Sequence, residues 1–74
     1  MTEVSPARRS RVIREAHAAG AWSGILLGHR AELTVNHASV EWRVCVRRHW
    51  IEGDAADVWH ALEAIGSAVQ GVTK

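Results

Sequence analysis

Two neighbouring stretches of strict apolar–polar alternation constrain this chain more than any other feature of it. Over residues 31–36, Ala31, Leu33 and Val35 fall on one side and Glu32 and Thr34 on the other. Over residues 40–47, Val40, Trp42, Val44 and Val46 share one side, and Glu41, Arg43, Cys45 and Arg47 share the other. A period of two belongs to a β-strand with one buried face. The intervening Asn36-His37-Ala38-Ser39 is turn chemistry. A hairpin with Val35 opposite Val40 sets Leu33 against Trp42 and Glu32 against Arg43. Apolar then meets apolar on one face and acid meets base on the other. A slip of one residue would turn Trp42 and Val44 into water, so the register is sharply determined. Strict alternation would carry Arg48 inward, and a bulge or the strand end is expected at Arg47-Arg48.

The flanking segments supply one further strand and two helices. Residues 22–28 hold the run Ile25-Leu26-Leu27 between Gly24 and Gly28, long enough for a strand and too short for a helix. Ser5 is a good N-cap, Pro6 fits the first helical position, and Gly20 is a C-terminal stop. Between them Val12, Ile13, Ala16, Ala19 and Gly20 fall on one helix face. Near the other end, Asp54 reads as an N-cap with Asp57 three residues on. The stripe Ala55, Val58, Trp59, Leu62, Ile65, Gly66 and Val69 follows, with Trp59 expected to be buried against the sheet and Gly71 ending the helix. The fold class expected is α+β: a two-layer α-β-β-β-α sandwich, its three-stranded antiparallel sheet carrying both helices on one face. Residues 1–74 form a single small domain, with a flexible tail over 1–4, a helix over 5–20, three strands over 22–51 and a helix over 54–70.

Composition narrows the setting. A chain of 74 residues has a thin core. Its aromatics are four Trp with no Phe or Tyr, so those four either carry much of the core or mark a surface that is covered later. The single cysteine, Cys45, excludes an internal disulfide framework and a cysteine-rich zinc site, and fits a reducing cytoplasm. The first ten residues are polar and basic, with no apolar region of a signal peptide. No apolar run approaches a membrane-spanning length, and a cytoplasmic location without membrane association is expected. Basic residues are Arg except for Lys74, a bias of GC-rich coding sequences such as those of actinobacteria and their phages.

Net charge is +1, which by itself calls for no polyanion. Its distribution is uneven: the basic residues gather in the first two thirds, whereas Glu52, Asp54, Asp57 and Glu63 face only Lys74 in the last third. Arg8, Arg11 and Arg14, with Arg9 beside them, form a basic ribbon in the first helix, where positive charge opposes the macrodipole. A local rule broken in this way marks a candidate docking face for an acidic protein or a nucleic-acid backbone. The competing reading is a solvated face with Glu15 answering Arg11. Arg43, Arg47 and Arg48, followed by His49-Trp50, form a second basic patch. Trp50 is expected in the core at the strand end, which leaves the open sheet face without an aromatic on which to stack a base. Helix, three strands, helix is also the element order of double-stranded RNA-binding domains. Here the last helix would start on the acidic Gly53-Asp54-Ala55-Ala56-Asp57, which repels phosphate, and no motif supports the comparison.

No catalytic or metal-binding constellation emerges. The five histidines match no zinc spacing, and Asp57, His60 and Glu63 turn steadily around their helix rather than converging. Cys45 lies between Arg43 and Arg47, where cations favour a thiolate, but no histidine is expected beside it as a base. The chain is therefore read as a small non-enzymatic protein-interaction or regulatory module without cofactor, metal or evident small-molecule substrate. Its basic first helix would dock an acidic partner, and its unprotected sheet edges would join it to a second copy as a homodimer. The alternative is a nucleic-acid-binding module using the basic helix and the Arg43, Arg47, Arg48 patch, with Trp50 a candidate contact in either case.

Overall fold

The computed structural model describes residues 4–72. The chain runs α1 (Pro6–Ala19), β1 (Ala21–Leu26), β2 (His29–Val35), β3 (Val40–Val46), β4 (His49–Ala55) and α2 (Val58–Val72). The four strands form one antiparallel meander in the order β1-β2-β3-β4. The expected pairing of β2 with β3 is the observed one: Val35 faces Val40, Leu33 faces Trp42 and Glu32 faces Arg43.

The expected count of three strands is corrected to four. The break at Arg47-Arg48 is the end of β3, and the chain turns back at once into β4. Arg47 and Arg48 form a two-residue hairpin loop with φ of 53° and 70°, the left-handed pair that a tight hairpin demands. Arg47 accordingly leaves the open face of β3 and sits in the turn. The β1–β2 hairpin has the same form, through Leu27 at φ 54° and Gly28 at φ 80°.

This fourth strand absorbs the segment expected to begin the second helix. Asp54 pairs with Glu41 inside β4 and caps nothing. The helix starts at Val58 on Asp57, whose Oδ1 accepts the His60 backbone N–H at 2.8 Å and whose carbonyl accepts from Ala61. It continues through Gly71 instead of stopping there. Trp59, expected in the core, is 47% exposed. α1 matches its expected signals: the Ser5 hydroxyl oxygen accepts from Arg8 N–H at 3.3 Å, and Gly20 closes the helix at φ 77°. Of the tail expected over 1–4, residues 1–3 lie outside the described residues, and Val4 is buried.

The core joins Val12 and Ala16 of α1 and Val58, Ala61, Leu62, Ile65 and Val69 of α2 to one pleat face of the sheet. That face contributes Trp22, Leu26, Ala31, Leu33, Val40, Val44 and Val46. α1 packs on β1 and β2, and α2 packs on β2, β3 and β4. Two tryptophans reach their places only because glycines make room. A Cβ on Gly53 would stand 2.5 Å from Trp42 Cζ2, and one on Gly24 would stand 2.7 Å from Trp22 Cη2. Gly53 is thus a strand residue beneath an indole ring, which explains a glycine in the middle of β4.

Candidate interaction face

The pleat residues pointing away from the core form ranks across the strands. Beside the β2–β3 loop the rank is Ala21, Thr34, Glu41 and Asp54. The next is Ser23, Glu32, Arg43 and Glu52. The third is Ile25, Arg30, Cys45 and Trp50; here the β2–β3 register, carried one residue further, brings Arg30 beside Cys45. The Arg47-Arg48 turn lies beyond. Charge therefore changes sign along the strands, acidic at the β2–β3 loop end and basic at the hairpin-turn end.

Arg43 sits where the two signs meet. Its guanidinium lies 4.1 Å from the centre of the Trp50 ring. Its Nη1 is 3.7 Å from Glu32 Oε1, and its Nε is 3.8 Å from Glu52 Oε1. Those separations are ion pairs rather than hydrogen bonds, and Nε is buried without a hydrogen-bond acceptor among the described residues. Trp50 is 40% exposed, so its expected place in the core is corrected: it stands on the open face, opposite Cys45. Ile25, at the other side of the third rank, is 53% exposed. The acidic end holds a shallow depression of about 430 Å³ walled by Glu32, Glu41, Glu52 and Asp54 with Arg43 at its side. Glu41 there accepts from Asn36 Nδ2 at 2.7 Å.

The basic ribbon of α1 is divided by its packing. Arg8 turns back onto the sheet, its guanidinium 5.6 Å from the centre of the Trp22 ring and its Nη2 donating to the Ile25 carbonyl at 3.2 Å. Arg9 lies 4.4 Å over Trp59 and donates from Nε to the Val4 carbonyl at 3.2 Å. Arg11 and Arg14 remain exposed. Glu15, expected to answer Arg11, instead accepts the Trp22 Nε1–H at 2.9 Å, and Trp22 is a core residue.

Asp57 and His60 form the other polar pair, with His60 Nδ1 and Asp57 Oδ1 2.8 Å apart. The His60 backbone N–H and then its ring hold the Asp57 carboxyl below the usual carboxylate range. Among the described residues no three His, Cys, Asp or Glu side chains converge as metal ligands would. Cys45 is half-buried, and its neighbours on the open face are Arg30, Arg43 and Trp50. None of these is a base for a thiol. No described helix is long and apolar enough to cross a membrane.

The sequence signal for this face was the charge alternation of β2 and β3, which located Glu32, Glu41 and Arg43. Arg30, Glu52, Asp54 and Ile25 joined it only once β1 and β4 were paired. Comparison with family models, curated proteins and solved structures finds no match to this chain.

Proposed function

We propose that this chain is a small non-enzymatic protein-interaction or regulatory module, acting in the cytoplasm and working through the open face of its sheet. The carrying observation is the balance of that face. Glu32, Glu41, Glu52 and Asp54 stand against Arg30 and Arg43 on the face and Arg47 and Arg48 in the turn at its end, with Trp50 and Ile25 exposed in one rank. A surface that is neutral in sum but divided in sign suits a protein partner of matching division, since complementary potentials fix partner and orientation. Arg43 on a central strand and exposed Trp50 beside it on the edge strand β4 are residue types that dominate such contacts. With both helices packed on the opposite side, nothing among the described residues covers this face. Arg11 and Arg14 leave a reduced basic ribbon on α1 for an acidic partner; Arg8 is committed to Trp22.

A nucleic-acid reading gains one specific observation, the exposure of Trp50 between Arg43 and the Arg47-Arg48 turn, where a base could stack. Against it stand the four carboxylates of the same face and the engagement of Arg43 by two of them. A mobility-shift titration at low salt with generic duplex and single strands separates the readings. The proposal expects no binding at micromolar protein. Micromolar binding that falls steeply with salt and is lost in an Arg47→Ala/Arg48→Ala/Trp50→Ala variant would replace it with the nucleic-acid reading.

A further inference from the structure

We infer that the open face docks a second copy of this chain, turned so that its strands run opposite to the first, with the acidic end of each face on the Arg47-Arg48 end of the other. The inference rests on the open face being the interaction surface and adds the partner and its orientation. The charge order along the strands carries it. Glu41 and Asp54 occupy the first rank, Glu32 and Glu52 flank Arg43 in the second, Arg30 occupies the third, and Arg47 and Arg48 end the series. A two-fold axis lying across the strands, between the second and third ranks, keeps each strand over its own copy and reverses its direction. Glu41 and Asp54 then meet the partner's hairpin turn, and Glu32 meets the partner's Arg30. Each contact occurs twice, as an isologous interface requires.

Other arrangements fit worse. A two-fold axis along the strands would pair Glu32 with the partner's Arg43 and Trp50 with its Ile25, but it would set Glu41 and Asp54 over Thr34 and Ala21 and the Arg47-Arg48 turn over Leu27 and Gly28, leaving the four charges at the ends unmatched. Edge pairing through β1 would compete with the Arg8 side chain, which already donates to the Ile25 carbonyl. Through β4 it would bring together strands that carry Glu52 and Asp54. The area is modest: four strands about 4.8 Å apart and seven residues long at about 3.3 Å each offer roughly 400 Å² per copy. That is roughly 800 Å² in total, below the about 1,200–2,000 Å² of stable specific complexes, so the dimer should be weak and salt-sensitive.

The test is a charge exchange read by sedimentation equilibrium at low salt. The parent should dimerise in the range of tens to hundreds of micromolar. Arg47→Asp/Arg48→Asp on one chain, and Glu41→Arg/Asp54→Arg on another, should each weaken self-association at least tenfold. Asp tolerates the left-handed turn better than most residues, and circular dichroism confirms that each variant is folded. The equimolar mixture of the two variants should form a heterodimer about as tight as the parent dimer, because every end contact is again between opposite signs. A mixture no tighter than either variant alone, or a parent that is monomeric at several hundred micromolar, overturns the inference. Parent association that ignores the exchange also overturns it, while leaving the protein-interaction reading intact; micromolar nucleic-acid binding by the parent is the result that removes that reading.

Discussion

Replacing Arg47-Arg48 by Asn-Gly should stabilise the fold. Both residues hold positive φ, 53° and 70°, in a two-residue hairpin loop. An L-residue with a Cβ in that region is strained by about 1–2 kcal/mol. Asn adopts it more readily, and Gly adopts it without strain. Gly at the second position returns roughly 0.5–1 kcal/mol of that gain through the greater freedom of the unfolded chain. The net expectation for Arg47→Asn/Arg48→Gly is about 1–2 kcal/mol of added stability. For a chain of this size each kcal/mol moves the thermal midpoint by about 4–8 °C. Thermal and urea denaturation, followed by tryptophan fluorescence, measures this directly. About 0.5 M salt keeps charged association out of the comparison. An unchanged or lower midpoint would show that the turn is relaxed as it stands and would refute the strain argument. The same variant should lose self-association at low salt, because it removes the basic end of the face. More stable yet less associated is a combination that a purely structural role for this turn does not produce.

Three further outcomes follow from particular contacts. Gly53→Ala places a Cβ 2.5 Å from Trp42 Cζ2 and should destabilise by about 1–3 kcal/mol in urea titration. Glu15→Ala removes the acceptor for Trp22 Nε1–H and should cost about 1 kcal/mol, whereas Glu15→Gln, which keeps a side-chain oxygen, should cost less. The Asp57 carboxyl is held below the usual range by the His60 N–H, so its contribution is present above the carboxyl's ordinary value and disappears as pH falls through the lowered one. Asp57→Asn should therefore flatten the acid limb of the stability profile as pH falls through and below the ordinary carboxylate range, measured as urea midpoints, and leave the slope near neutral pH unchanged.

What could be read in the sequence depended on whether local signals agreed with the tertiary role of each residue. The β2–β3 register was legible because both strands alternate strictly and the loop between them is turn chemistry. α1 was legible because Ser5, Pro6 and Gly20 are each placed where helix ends want them. β4 was hidden at both of its ends. Arg47-Arg48 is not a residue pair that announces a tight turn, and Gly53-Asp54 imitates the start of a helix. In the fold Gly53 instead makes room for the Trp42 ring, a contact between residues that local pattern does not connect. Missing β4 put Trp50 into the core and left the open face without its aromatic. Trp59 was misplaced for a different reason. At about 100° per residue it stands roughly 90° round from the centre of the stripe formed by Val58, Leu62, Ile65 and Val69, on the helix flank where Arg9 covers it. The charge division of the face emerged only when all four strands were aligned, since its acids and arginines come from β2, β3, β4 and a turn.

The central claim, that this chain meets a second copy of itself through the open sheet face, is tested most directly by following backbone amide resonances of the labelled chain through a dilution series at low salt. Shifts that change with concentration should gather on Arg30, Glu41, Arg43, Trp50 and Asp54 and on the Arg47-Arg48 turn, and should collapse on adding salt. Shifts confined to the outer edges of β1 and β4, or to Arg11 and Arg14 of α1, or no concentration dependence at all up to several hundred micromolar, would contradict it.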